Sequence, residues 1–149
     1  MLRNFDHVTI AVRDVAAAKR FFGLLGFREE KTVLISGEKF ARYMGVEGIE
    51  AEHITLVHES ATPRLEVQVL RYLHAEPRVD PNAARLDRLG FNHVCFAVDD
   101  VEAEVRRLVA GGVSVRNEVM EFHDRKLVFL IGPEDITVEL AQWQRGVTA

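Results

Sequence analysis

Two histidines, His7 and His93, open nearly the same phrase, His-Val-Thr-Ile-Ala-Val-Arg-Asp-Val at 7–15 and His-Val-Cys-Phe-Ala-Val-Asp-Asp-Val at 93–101. Further along, Glu66-Val-Gln-Val-Leu-Arg-Tyr72 and Thr137-Val-Glu-Leu-Ala-Gln-Trp143 match in the same way, aligning Gln68 with Glu139 and Tyr72 with Trp143. Imidazole nitrogen, amide oxygen and carboxylate oxygen together suit a divalent ion such as zinc, nickel, cobalt, iron or manganese, with positions left for water or substrate. Each copy therefore offers two side chains suited to binding one metal ion. A single strand histidine is more often a hydrogen-bonded packing residue. Its recurrence at His93 favours the metal.

The histidines lie 86 residues apart and the Gln68/Glu139 pair 71 apart, so the first copy carries 15 extra residues between its two marks. Those extras form a loop or hairpin extension. A period this long points to a duplicated supersecondary unit, not a stacked array.

The elements that must position these side chains follow from periodicity. Val8, Ile10 and Val12 alternate with His7, Thr9 and Ala11, the period of two of a half-buried strand. Asp14 then caps a helix with Val15, Ala18, Phe22 and Leu25 at helical spacing, closed by Gly26. The second copy repeats the plan with Val94, Phe96 and Val98, a cap at Asp99 or Asp100, a helical face of Val101, Val105, Leu108 and Val109, and Gly111-Gly112 as the stop. Strand-like runs follow each helix: Arg28–Leu34, His53–Val57 and Leu65–Leu70 in the first copy, Val113–Val119, Leu127–Ile131 and Ile136–Leu140 in the second. Gly132-Pro-Glu-Asp135 turns between the last two. The region 36–52 reads as the extra loop, with a helical turn around Lys39–Met44. The chain thus divides into a first βαβββ module at 1–74, a linker at 75–90 containing Pro77 and Pro81, and a second module at 91–149, together one structural domain.

Parity carries the strongest physical argument for a site. If the bulky apolar residues face the helices, the opposite face presents His7 and Thr9, Glu66 and Gln68, His93 and Cys95, and Thr137 and Glu139. That face is polar and small, as the lining of a cleft would be, with Thr9 and Cys95 placed to touch a ligand. His53, His58 and His74 have no partner in the second copy and read as exposed or loop residues. Tyr72 and Trp143 read as packing at the module ends.

Composition sets modest bounds. The chain has 149 residues, 48% of them hydrophobic, enough for one sizeable core or two small layers. A net charge of −4 and a pI near 5.9, with no dense basic run, argue against nucleic acid or anionic membranes as partners. No signal-peptide core opens the chain and no run approaches a membrane span, so a soluble cytoplasmic protein is expected. The single cysteine, Cys95, fits a reducing compartment.

These features resemble the vicinal oxygen chelate superfamily, which contains lactoylglutathione lyases, methylmalonyl-CoA epimerases, extradiol dioxygenases, and fosfomycin and bleomycin resistance proteins. The likeness covers nearly the whole chain and is sharpest in the two histidine phrases, in Phe27 after Leu25-Gly26, and in Gly132-Pro-Glu-Asp-Ile-Thr-Val-Glu-Leu140. It implies an α+β fold of two tandem βαβββ modules forming a cupped mixed sheet around a metal, with ligands at His7, Gln68, His93 and Glu139. It also implies a homodimer and a small-molecule substrate.

The set His, Gln, His, Glu is most similar to that of the epimerases. With Glu139 as the one anionic ligand, a divalent centre keeps a formal charge near +1 and can stabilise an enolate beside a carbonyl. The expected activity is an isomerase, epimerase or lyase. Glu139 could leave the metal to act as the base. Glu50 and Glu52 lie near a second catalytic glutamate of the epimerases, and Glu66 shares the face of Gln68. Glu66 would replace Gln68 as ligand if the strand were bulged. Arg125 and Lys126, in a hairpin where the family places substrate contacts, could meet a carboxylate or phosphate. Two alternatives stay open: a ferrous ring-cleaving dioxygenase using His7, His93 and Glu139, and a metal-free protein that binds an antibiotic or similar ligand.

Overall fold

The computed structural model describes residues 1–144 and divides into two compact units, Met1–Val79 and the remainder from Asp80. The first holds β1 (His7–Ala11), α1 (Val15–Leu24), β2 (Phe27–Ser36), α2 (Glu38–Met44), β3 (Glu50–His58) and β4 (Glu66–His74). The second holds β5 (Val94–Ala97), α3 (Val101–Ala110), β6 (Met120–Phe122), β7 (Arg125–Ile131) and β8 (Thr137–Trp143), with a 3-10 turn at Pro133–Asp135 before β8. Each unit is a βαβββ module, the second without a counterpart of α2.

The sheets share one topology, β1-β4-β3-β2 and β5-β8-β7-β6. In each, the first strand runs parallel to the last and the remaining pairs are antiparallel. The parallel pairing requires a crossover, and the helix after the first strand begins it. Both helices start alike: Asp14 accepts a hydrogen bond from the Ala17 amide and Asp100 from the Ala103 amide, each at 2.9 Å. An aspartate oxygen there satisfies one of the amides that a first helical turn leaves without a partner. Both helices stop alike, with Gly26 at φ +93° and Gly112 at φ +96°. Only glycine takes that conformation without strain, and a side chain at 26 would also meet the His58 ring at 2.8 Å.

The helix-facing side of the first sheet is the apolar one. Ile10, Ile54, Leu56, Val67 and Val69 are buried there, with Ala18 and Phe22 of α1. Phe22 meets Phe27 edge to face at 5.9 Å, and Phe27 meets His58 at 5.1 Å. In the second module Val128, Leu130, Val138, Leu140, Val101 and Leu108 are buried. A second cluster belongs to the first module: Ile35, Ile49, Ala51 and Leu70, covered by Ala41 and Met44 of α2 and by Val46 and Tyr72. Tyr72 thus packs as expected, whereas Trp143 is 37% exposed beneath the Arg125 guanidinium, 4.5 Å from the ring centre.

One expected strand is replaced. Residues 113–119 form no strand beyond a single bridge of Val115 to Leu130, and the edge strand is the short β6 instead. Two backbone bonds survive around that bridge, Arg116 N–H to the Phe129 carbonyl at 2.8 Å and Ile131 N–H to the Ser114 carbonyl at 2.9 Å, and side chains extend the pairing. The Phe129 amide donates to Asn117 Oδ1 at 3.0 Å, and Arg116 donates to Thr137 Oγ1 at 3.0 Å and to the Asp135 carbonyl at 2.7 Å. No helix among the described residues is long and apolar enough to cross a membrane.

Candidate metal and ligand site

Register tests the internal alignment directly. Thr9 pairs with Gln68 across β1 and β4, and Cys95 pairs with Glu139 across β5 and β8. Gln68 and Glu139 therefore hold equivalent places, with Glu66 matched to Thr137. Thr9, Glu66 and Gln68 share the sheet face turned away from α1, as parity required.

In the second module His93 lies immediately before β5, and its Nε2 is 3.2 Å from Glu139 Oε2. Phe129, opposite Glu139 on β7, meets the imidazole edge at 5.2 Å. The ring's tautomer can be deduced. Asn92 Nδ2 donates to the Leu86 carbonyl at 2.7 Å, so Asn92 Oδ1 is the atom facing His93 Nδ1, also at 2.7 Å. An amide oxygen only accepts, so Nδ1 carries a proton, and in the neutral ring the Nε2 lone pair then faces the carboxylate. In that neutral form two acceptors would face each other across this gap. The arrangement is satisfied only by a positive charge between them, a proton on the ring or a cation. Donors bound at about 2.1 Å to one ion and subtending 90–110° would lie about 3.0–3.4 Å apart. The His93–Glu139 separation falls within that range. Glu139 is also 9% exposed and has no Arg or Lys partner among the described residues, an unusual state for a buried carboxylate.

The first module repeats part of this design. Asp6 Oδ2 accepts from His7 Nδ1 at 2.6 Å, which again leaves Nε2 free as a lone-pair donor. The residue preceding each histidine, Asp6 or Asn92, thus orients the ring. That signal sits one position upstream of the repeat as read from the sequence. His7 and Gln68 line one pocket of about 500 Å³.

His53 corrects an expectation. It is neither exposed nor in a loop: it lies on β3, lines the same pocket, and its Nε2 is 2.9 Å from Gln68 Oε1. Thr9 Oγ1 donates to the same oxygen at 3.2 Å, while Gln68 Nε2 donates to Glu66 Oε2 at 3.3 Å. The amide oxygen therefore faces the histidine side. His58 is half-buried at the end of β3, its Nδ1 accepting from the Ser60 amide, and His74 is exposed. Alternation could have found His53, since Ile54 and Leu56 face the helix and His53 and Thr55 must face away.

The remaining candidates separate. Glu66 lines the pocket but is held by Arg64 Nε at 2.6 Å, and Arg64 also grips Glu30 at 2.6 and 3.0 Å. Arg64 holds the Glu30 carboxyl below its ordinary range. Glu52 is bound by Arg71 at 2.8 Å on the reverse face, and Glu50 is exposed at the start of β3; neither lines the pocket. Cys95 is solvent-accessible, yet dense packing around the sulfur and then the Glu139 carboxylate push its thiol up to about 12. That direction disfavours the thiolate and so argues against a nucleophilic role. Arg125 stacks on Trp143, and Lys126 pairs with Glu102 at 3.0 Å, which raises the lysine. Among the described residues no three His, Cys, Asp or Glu side chains converge on one point, so what each module offers is a pair.

Comparison with known proteins gives a consistent picture. The family model of the Glyoxalase/Bleomycin resistance protein/Dioxygenase superfamily matches residues 4–140. A lactoylglutathione lyase of Schizosaccharomyces pombe is 23% identical over 93% of this chain and 45% of its own length. The chain spans less than half the length of the curated relatives it matches. A glyoxalase family protein from Bacillus cereus superposes with a TM-score of 0.84 at 26% identity, covering 96% of this chain and 95% of that one. A mutant of the fosfomycin resistance protein FosX of Listeria monocytogenes, complexed with Mn(II) and a dihydroxypropylphosphonic acid, superposes with a TM-score of 0.59 at 14% identity, covering 94% and 90%.

Proposed function

The chain belongs to the Glyoxalase/Bleomycin resistance protein/Dioxygenase superfamily, and we propose that within it the protein is a divalent-metal enzyme acting on a small molecule beside a carbonyl, as an isomerase, epimerase or lyase. The ligand set in this reading is His93 and Glu139 from the second module and His7 and Gln68 from the first, the set that resembles the methylmalonyl-CoA epimerases. The observation that supports it is the 3.2 Å approach of His93 Nε2 to the Glu139 carboxylate, a separation that two donors to one ion would also have. The lyase relative and the Mn(II) complex of a protein with the same fold are in keeping with it.

A divalent ion bound there supplies Lewis acidity toward negative charge developing on a carbonyl oxygen. The chain's own groups do the rest. Asp6 and Asn92 hold the two imidazoles with Nε2 directed outward, and Thr9 and His53 hold the Gln68 amide oxygen in place. Of the four glutamates considered, Glu139 is favoured for proton transfer. Glu66 and Glu52 are tied to arginines, and Glu50 is exposed at the start of β3, whereas Glu139 is buried beside His93 with no arginine or lysine partner among the described residues. The reading includes a homodimer, which light scattering checks.

The test is exchange of the hydrogen beside a carbonyl, followed by NMR in deuterated water over a panel of 2-oxo acids and acyl thioesters. Metal-dependent exchange lost in Glu139→Gln supports the reading. No exchange with any metal, together with oxygen uptake on catechols under ferrous iron, would overturn it in favour of ring cleavage.

A further inference from the structure

The first module's pocket is graded along its strands. The row Thr9, Gln68, Thr55 and Lys31 is polar, and His7 and Glu66 lie beyond it. One step the other way come Leu70, His53 and Val33, then Ile35 on the next row. Over this apolar end sits α2. It uses Ala41 and Met44 to anchor on the cluster below and turns Phe40 and Tyr43, also three residues apart, toward the pocket. Phe40 is 37% and Tyr43 83% exposed, so neither is spent on the core.

At the polar end Lys31 lines the pocket, its charge felt by the adjacent Glu30, which Arg64 already holds, and the Glu66 carboxylate nearby is likewise compensated by Arg64. Among the described residues the second module differs at the equivalent positions. At the registers of His53 and Thr55 it carries Leu127 and Phe129, and β6 and β7 join through two residues with no intervening helix.

We propose that this pocket binds a small amphiphilic monoanion, an aryl- or alkyl-substituted 2-oxo acid in its simplest form. The ligand lies along the strands with its oxygens at the Lys31–Gln68 end and its apolar arm beneath α2. A pocket of about 500 Å³ is of the size that small-molecule ligands fill. Naming the ligand as the substrate rests on the function proposed above.

The test is calorimetric titration of the metal-depleted full-length protein with 2-oxo-4-phenylbutanoate, pyruvate and the neutral 4-phenylbutan-2-one. Burying one aromatic ring should make the phenyl acid at least about tenfold tighter than pyruvate. Phe40→Asp should erase that preference, and Tyr43→Asp, at a more exposed position, should reduce it. Lys31→Gln should weaken both acids several-fold while sparing the ketone. Equal affinity for the two acids, a preference that survives both α2 variants, or no saturable binding would overturn the assignment. Without metal in the cell, the outcome is separable from the exchange assay: exchange without preference overturns the pocket, and preference without exchange overturns the reaction.

Discussion

The two modules share strand order, helix caps and ligand register, yet they fill the third strand of each sheet differently. His53 and Thr55 of β3 stand where Leu127 and Phe129 of β7 stand in the second copy. In the second module those bulky residues crowd the sheet face, and Phe129 braces His93 against Glu139. In the first they are polar, the strands are longer, and α2 walls off a pocket. One copy holds a close imidazole–carboxylate pair, while the other keeps a pocket lined by His53 and Thr55. The scaffold repeats; the lining does not.

The comparison can be broken hardest in the cores. Val69 and Leu140 sit at equivalent register and are both buried, so Leu140→Ala should cost about 2–5 kcal/mol and Val69→Ala somewhat less. Denaturant melts followed by module-specific probes would show whether either loss stays within its own unit. A coincident shift of both probes would mean that the modules unfold together.

Ligand orientation comes next. Asp6→Ala and Asn92→Ala remove equivalent partners of Nδ1, and each should lower metal affinity by about 10–100-fold with the fold intact. His53→Leu, which copies the second module's residue, should also weaken metal binding, because Gln68 Oε1 then keeps only Thr9 as a donor. Affinity unchanged in His53→Leu would make the histidine a pocket-lining residue alone.

Smaller effects should be symmetrical. Asp14→Ala and Asp100→Ala each delete one cap bond at 2.9 Å, and each should cost about 1 kcal/mol. The Glu30–Arg64 pair has no counterpart in the second module's described ion pairs, and it is exposed, so its contribution is slight. Arg64 holds Glu30 below its ordinary value, and a carboxylate depressed on folding stabilises above its unfolded value and loses that contribution as pH falls through the folded one. The melting-temperature gap between wild type and Glu30→Gln should therefore be present at neutral pH and close in acid.

Much of this was legible in the sequence because duplication doubles the signal. The two histidine phrases located β1, α1, β5 and α3, and alignment of Gln68 with Glu139 matched the observed register. What escaped lay where the copies diverge. His53 had no partner to align with, since its counterpart is Leu127, although alternation alone placed it beside Thr55. The α2 helix, by contrast, coincides with the helical turn expected around Lys39–Met44, although only its place and not its role over the pocket could be read without a second copy to compare with. The run 113–119 has strand composition and does pair with β7 around Val115, but the backbone ladder is limited to that bridge, and beyond it the Asn117 side chain takes the Phe129 amide. Pairings of Glu66 with Arg64 and of Glu52 with Arg71 depend on contacts that no local pattern announces.

The central claim is that the lone pair of His93 and the carboxylate of Glu139 form half of a divalent-metal site. Elemental analysis should decide it, on protein supplemented in turn with cobalt, nickel, zinc, manganese and ferrous iron, beside His93→Ala, Glu139→Ala and His7→Ala. The account predicts about one ion per chain in the wild type, with affinity reduced more than about 100-fold in each variant, beyond what loss of an orienting partner causes. No bound metal under any supplementation, or full occupancy in Glu139→Ala, would contradict it.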